Sequence, residues 1–152
     1  LVDLEVPNFA EGPVTMSGVA LTSSTAAEAP TVKPKDPLSQ FLPGPATTVR
    51  EFSRQDELGL FVEFYENLRN APPHKFDITT TIRTDDGRVV TQDREERDSS
   101  ELQGSVGGGY GYSTVISLRD LPPGLYVLRV EGRSRATAAE QVVARDVQIR
   151  IR

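Results

Sequence analysis

The sequence predicts an all-β fold, an antiparallel sandwich of two sheets with seven to nine strands. Leu121–Val130 opens with a Pro-Pro-Gly turn and then alternates apolar and other side chains, as a strand with one face in a core does. Asp86 and Gly87 separate two further alternating runs, and glycine tolerates the positive φ that tight hairpin turns need. No segment has an unambiguous helical pattern, so the interior is expected to lie between sheets.

The first third of the chain predicts two strands and a long loop. Leu1–Val6 alternates and predicts a first strand. Val14–Leu21 predicts a second, in which Gly18 indicates a bulge or a close approach of another backbone segment. Residues 22–46 are polar and rich in proline, which lacks the amide donor of a sheet, so they predict a loop. Phe41–Leu42 gives this loop an apolar anchor.

The middle of the chain predicts three or four strands. Thr47–Phe52 reads as a short strand. Leu58–Leu68 fits both a helical spacing and a strand alternation, and its aromatic and β-branched residues favour the strand. Phe76–Ile82 and Arg88–Gln92 are the two alternating runs of the Asp-Gly hairpin.

The last third predicts a charged edge and three strands. Asp93–Glu101 is a run of charges, typical of a solvated face or of an edge that discourages strand pairing. Residues 104–111 are glycine-rich and predict a flexible connection. Tyr112–Leu118 alternates and is expected to pair with Leu121–Val130 as an antiparallel hairpin. Val143–Ile151 predicts the strand that closes the fold.

Composition limits the class of protein. The 152 residues fit a single domain, residues 1–152, and the net charge of -5 argues against a nucleic-acid partner. The chain has no cysteine, so disulfides and cysteine-based metal sites are excluded. No apolar run approaches the roughly 20 residues that span a bilayer, so no membrane insertion by this segment is expected. The chain begins at Leu1 rather than Met, which predicts a piece of a longer protein.

The candidate catalytic and metal-binding residues have simpler explanations. His74, the single histidine, lies in a Pro-Pro-His-Lys turn and is expected to be a solvated loop residue. The candidate carboxylate pairs of a hydrolase are Glu63 with Glu66, or acids within Asp93–Asp98. Arginines alternate with the acids of the second group, which indicates a solvated face or edge instead. Asp85–Gly87 offers oxygen ligands for calcium but is explained by the turn. No catalytic residue, metal site or cofactor is predicted.

One candidate binding feature lies in the glycine-rich connection. It lacks the Gly-Lys-Ser/Thr sequence of a phosphate loop, so a nucleotide is not expected. Tyr110 and Tyr112 stand at its end. Tyrosine offers a large amphipathic contact area at low entropic cost, so these two residues are predicted to contact a partner.

The order of the strand and turn patterns resembles a known arrangement. It is similar to the C-terminal Ig-like or fibronectin-III-like segment of large bacterial proteins, of the Acidobacteria type, that carry a von Willebrand factor A-type domain upstream. The residues that carry the resemblance are Leu4–Phe9, Val14–Leu21, Phe52–Leu58, Val62–Tyr65, Thr84–Val89 and Leu121–Val130. The resemblance implies a secreted or envelope-associated module and supplies no catalytic residues. The Asp-x-Ser-x-Ser metal motif of a von Willebrand A domain is absent from this sequence.

These observations together predict a noncatalytic structural or protein-interaction module of a larger secreted or envelope bacterial protein. Loops such as residues 22–46 and 104–111 would face a protein partner or a neighbouring domain of the same polypeptide. One alternative is a carbohydrate-binding module, although the chain has no tryptophan and four tyrosines for a glycan platform. The other is a carboxylate-based hydrolase, which requires two acids that converge in a cleft.

Overall fold

A computed structural model describes residues 8–27, 37–104, 108–137, 139 and 141–152 of the chain. The described residues form nine strands in two sheets around one hydrophobic core, so the predicted all-β sandwich is confirmed. The strand predicted at Leu1–Val6 lies outside the described residues. The strands are β1 Val14–Met16, β2 Ala20–Ser23, β3 Glu51–Phe52, β4 Glu57–Glu66, β5 Lys75–Thr84, β6 Val89–Asp98, β7 Gly109–Ser117, β8 Gly124–Ser134 and β9 Gln141–Ile151.

The two sheets have different topologies. In sheet A, β4 is central and antiparallel to all its neighbours, with β7 on one side and β1 and β2 on the other. Sheet B has the order β3-β9-β8-β5-β6, and its strands are antiparallel except for the short β3–β9 pair. Three short helical segments complete the described part: α1, Ser24–Ala27, and the 3-10 helices Pro37–Gln40 and Ser99–Gly104.

The segment with two competing patterns is a strand. Leu58, Leu60, Val62 and Phe64 are fully buried at alternate positions of β4. Strands flank β4 on both sides, so nearly every backbone polar group of this apolar run has a ladder partner. This confirms the preference for strand over helix.

Two predicted boundaries near the N-terminus are corrected. The strand predicted at Val14–Leu21 is interrupted at Ser17–Val19, and its two parts, β1 and β2, pair separately with β4. Gly18 lies in that interruption, where an added Cβ would meet no atom within 4 Å, so no close approach on its side-chain side requires a glycine. The first two residues of the predicted loop 22–46 belong to β2, because their amides continue its pairing with β4.

The rest of that loop has the predicted anchor where it is described. The Phe41 ring stacks on the ring of Phe61, with centroids 4.5 Å apart. Leu42 is buried, and Pro43 lies over Gly59, where an added Cβ would approach the proline ring to 3.0 Å. The anchor therefore packs on the outer face of sheet A, beside β4.

The hairpin predicted from Asp86 and Gly87 is confirmed. Gly87 has φ 89°, and Thr84 N donates to Arg88 O at 2.9 Å to close the turn. The returning strand β6 continues to Asp98, so the predicted charged run forms the edge strand of sheet B. Its charges are the expected protection of a sheet edge.

The hairpin predicted between Tyr112–Leu118 and Leu121–Val130 is wrong. β7 pairs with β4 in sheet A, whereas β8 pairs with β5 and β9 in sheet B. The connection between them crosses the end of the sandwich. Leu118 and Leu121 are buried there, and Tyr126 Oη donates to Pro122 O at 2.7 Å to hold the corner. Alternation identifies each strand, but the buried leucines determine that the chain changes sheets.

Candidate functional site

A buried polar cluster ties the two sheets together at one end of the sandwich. Glu66, the last residue of β4, has a side chain that is 1% exposed. Its Oε1 accepts a hydrogen bond from His74 Nε2 at 2.8 Å and another from Ser134 Oγ, and its Oε2 accepts from Tyr110 Oη at 3.1 Å. Glu66 and Tyr110 belong to sheet A, Ser134 ends β8, and His74 immediately precedes β5. We refer to these four residues as the Glu66 cluster.

His74 is packed rather than solvated, which corrects the prediction for this residue. Its side chain is 7% exposed, and its Nδ1 lies 2.7 Å from Pro72 O. A carbonyl oxygen only accepts, so Nδ1 donates to Pro72 O, and below the pKa of His74 the second ring proton on Nε2 donates to the Glu66 carboxylate. Burial lowers the pKa of His74, but the hydrogen bonds to Pro72 and Glu66 outweigh burial and raise it above its usual value.

The hydrogen bonds of the Glu66 cluster link the two sheets and do not form a catalytic relay. In a nucleophilic triad the imidazole lies between the hydroxyl and the acid and accepts the hydroxyl proton. Here Ser134 and His74 both donate to the same carboxylate, and both ring nitrogens of His74 are occupied. Burial also raises the pKa of Tyr110, which keeps its hydroxyl a neutral donor. A cavity of about 370 Å³ is lined in part by Glu66 and His74. The carboxylate oxygens of Glu66 and the ring nitrogens of His74 are already hydrogen-bonded within the protein.

The two tyrosines predicted to contact a partner lie in the core instead. Tyr110 is 3% exposed and Tyr112 is 1% exposed, because both point inward from β7. The Tyr110 ring stacks on Phe76 with centroids 4.7 Å apart, and Tyr112 Oη lies 3.1 Å from Thr80 Oγ1. The two tyrosines are therefore core residues rather than loop residues, and a binding role for them stays a prediction.

The carboxylates considered for a hydrolase do not converge. Glu63 and Glu66 are three residues apart on β4, so their side chains leave opposite faces of sheet A. Glu66 points into the cluster, whereas Glu63 accepts a hydrogen bond from Tyr65 Oη at 2.7 Å. Burial and the nearby Glu63 carboxylate raise the pKa of Tyr65 to about 12.

A second buried carboxylate lies on the outer face of sheet B. Asp77 is 3% exposed and accepts hydrogen bonds from Arg135 Nε at 2.7 Å and Nη2 at 2.5 Å. Arg94 Nη2 lies 2.8 Å from the same carboxylate. Burial raises the pKa of Asp77, but the two arginines outweigh burial and hold the pKa below its usual range. Asp77 therefore serves as an ion-paired link between β5, β6 and the end of β8.

The Asp85–Gly87 turn is held by its own contacts. Asp86 accepts a hydrogen bond from Thr84 Oγ1, and this bond lowers the pKa of Asp86. Within the described ranges, no group of three or more His, Cys, Asp or Glu side chains is arranged to hold a metal ion.

A groove of about 450 Å³ lies where the edge of sheet A meets the edge of sheet B. Its floor consists of the buried residues Thr80, Ile82 and Leu121. Its walls are β6 and β7, on which Val90 is 40% exposed and Val115 is 52% exposed. We refer to it as the edge groove. Sequence patterns did not reveal it, because it depends on β7 and β8 lying in different sheets.

Comparison with solved structures supports the fold. The C-terminal domain of wzt matches 93% of this chain and 75% of its own, with a TM-score of 0.59 and 10% identity. A β-glucuronidase from Bacteroides uniformis (TM-score 0.47, 15% identity) matches 86% of this chain and 12% of its own. A family 123 glycoside hydrolase from Clostridium perfringens (TM-score 0.43, 9% identity) matches 89% of this chain and 27% of its own. The likeness to the wzt domain shows a shared fold, and the two lower scores carry no argument.

Sequence comparison adds no family. No protein-family model matches the chain, and no curated protein matches it significantly. A search of the described helices for one long and apolar enough to cross a membrane finds none.

Proposed function

We propose that this chain is a noncatalytic β-sandwich module of a larger secreted or envelope bacterial protein, and that it works by contacting a protein partner or a neighbouring domain. The observation that carries the proposal is the engagement of its buried carboxylates. Glu66 accepts from three side chains and Asp77 from two arginines, and both link strands. Charged groups used in this way stabilise a scaffold, and a scaffold acts through its surface.

Two further points support the proposal. The fold is shared with a domain described as the C-terminal part of wzt, which is consistent with a module attached to a larger chain. The edge groove gives the scaffold a concave surface with exposed valines, a feature typical of interaction sites. The resemblance to segments that follow a von Willebrand factor A-type domain is retained as part of the proposal, and it supplies the secreted or envelope location.

Hydrogen–deuterium exchange tests the proposed role. The 152-residue chain is compared with the same chain inside the full polypeptide encoded by its gene. We expect a contiguous surface patch to exchange more slowly in the full polypeptide or with its partner. If every surface position exchanges equally fast in the isolated chain, in the full polypeptide and in a mixture with the partner, an interaction role is contradicted. Fractionation of the producing bacterium tests the location, and a purely cytoplasmic signal would contradict it.

A glycan-binding module is the second candidate, and one observation favours it. A polar depression of about 250 Å³ lies on the outer face of sheet B, lined among others by Thr79, Thr81, Gln92 and Arg129. Hydroxyl, amide and guanidinium groups are the donors and acceptors that sugar hydroxyls use. A glycan array probed with the wild-type chain and with Thr79→Leu tests this candidate. A hit that Thr79→Leu abolishes would support it, and an empty array would remove it.

A further inference from the structure

The edge strand β7 of sheet A lacks the charges that protect the edge strand β6 of sheet B. In the part of the chain that the structure describes, β7 pairs only with β4, and β6 pairs only with β5. β6 is rich in charge, and its Asp93, Glu95 and Arg97 stand opposite core-facing residues of β5, so they point inward. Inward-pointing charges discourage strand addition. The nine residues of β7, Gly109–Ser117, include no charged residue and no proline. Of these two long edge strands, β7 is therefore the one open to another strand.

The backbone groups that face outward from β7 follow from the register. Ser17 N donates to Glu63 O at 2.8 Å, so the polar groups of Glu63 point toward β1, away from β7. In an antiparallel strand this direction alternates, and Leu60 and Val62 therefore bond to their partners in β7, Thr114 and Tyr112. The intervening residues of β7 direct their N–H and C=O groups to the free edge; these are Gly111, Ser113 and Val115.

The edge groove lies directly beneath this free edge. A strand added to β7 would place every second side chain beside Thr114 and Ile116, above the floor formed by Ile82 and Leu121. These neighbours are mostly apolar, so aliphatic side chains fit there. The intervening side chains of the added strand would lie beside Val115 and its neighbours on the solvent-facing side, where polar residues fit.

The rim of the groove specifies the charge of the occupant. Asp93 and Asp120 line it, and neither carboxylate has an ion-pair partner among the described residues. A second copy of this chain would bring the same two acids and a net charge of -5 to the shared interface. A basic segment would instead neutralise the rim. Charge complementarity thus favours a different molecule, with Lys or Arg, over self-pairing.

We propose that the edge groove binds an extended, basic segment of a partner with alternating aliphatic residues, which adds to the free edge of β7 as a further antiparallel or parallel strand. Main-chain hydrogen bonds to β7 supply the affinity, and the groove and its two carboxylates select the side chains. This inference rests on the proposed interaction role and specifies its surface and its partner chemistry.

Amide exchange measured by NMR on the full chain tests the proposal. The probe is the synthetic peptide Lys-Val-Thr-Val-Thr-Val-Lys. At saturation we expect the amide protons of Gly111, Ser113 and Val115 to exchange at least about tenfold more slowly. The amide of Thr114, already bonded to β4, should change less than about twofold. No binding, or binding without protection of the three outward amides, would overturn the proposal.

A matched pair of proline variants locates the strand addition. Ser113→Pro removes one outward amide of β7 and leaves the bonds to β4, so peptide affinity should fall at least about tenfold. Gln92→Pro removes an outward amide of β6 and should leave affinity within about twofold. The opposite ranking would overturn the proposal. A peptide with N-methylated valines repeats the test without a protein variant, and undiminished binding of that peptide would overturn it as well.

Two further arms test the charge and the occupant. Asp120→Asn should weaken the lysine-flanked peptide by about threefold or more, whereas Asp85→Asn, a turn acid outside the groove, should not. Sedimentation equilibrium should show a monomer, and a dimer that Ser113→Pro dissociates would assign the edge to a second copy and overturn the proposal. If exchange in the full polypeptide reveals a contact elsewhere and the peptide fails, the interaction role stands and the edge groove is refuted.

Discussion

The Glu66 cluster makes a sharp prediction for the substitution Glu66→Gln. The carboxylate is 1% exposed and accepts three hydrogen bonds, so solvent does not screen them. Hydrogen bonds to a charged group contribute about 1 kcal/mol more each than neutral ones. Removal of the charge at three bonds should therefore lower the free energy of unfolding by about 3 kcal/mol. For a domain of this size that corresponds to a fall in Tm of about 6–12 °C.

Urea denaturation followed by circular dichroism measures this loss. The matched control is Glu57→Gln, because Glu57 lies on the same strand but is exposed. The control should stay within about 0.5 kcal/mol of the wild type. The cost of Glu66→Gln should also be larger at about pH 5.5 than at about pH 9, since His74 is charged only below its raised pKa. Equal stability of the two glutamine variants would refute the assignment of Glu66 as the tie between the sheets.

Three more predictions concern the same scaffold. The pKa of His74 is raised on folding, so the stabilisation by His74 is complete below pH 6.5 and is lost as pH rises through the folded-state pKa. The free energy of unfolding of the wild type should therefore fall over this rise in pH, and that of His74→Gln should not. Gly132→Ala should destabilise by about 1–3 kcal/mol in urea, because its Cβ would lie 2.5 Å from Phe64, whereas Gly18→Ala, with open space, should be neutral. Asp77→Asn should cost the most stability above about pH 4, and the cost should shrink as pH falls through the lowered folded-state pKa of Asp77, as urea unfolding at a series of pH values would show.

Local signals allowed much of the sheet structure to be predicted. The Asp-Gly turn predicts β5 and β6 because a glycine at positive φ is typical of a short hairpin loop, here the three residues between Thr84 and Arg88. The charged run predicts a solvated face or an edge, and the structure shows an edge, where charges prevent pairing with other strands. Leu58–Phe64 was assigned to a strand on its alternation, which the full burial of every second residue confirms.

The Glu66 cluster was missed for a physical reason. His74 and Glu66 are eight residues apart, and a turn with two prolines between them gives no sign that they meet. Ser134 lies 68 residues from Glu66, so its contact depends entirely on the pairing of β8 with β5. The inward direction of Tyr110 was missed similarly, because the glycines before it predict flexibility while the register with β4 fixes its face.

The crossing from β7 to β8 connects the wrongly predicted hairpin with the proposed binding surface. Had these strands formed that hairpin, the edge of β7 would have been covered by its neighbour in the chain. Because Leu118 and Leu121 instead carry the chain into sheet B, the outer edge of β7 is left without a strand in the described residues. The same crossing opens the edge groove between β7 and β6. The error in the predicted hairpin thus lies at the crossing that leaves the uncharged edge of β7 free, above a groove with Ile82 and Leu121 in its floor and two acids on its rim.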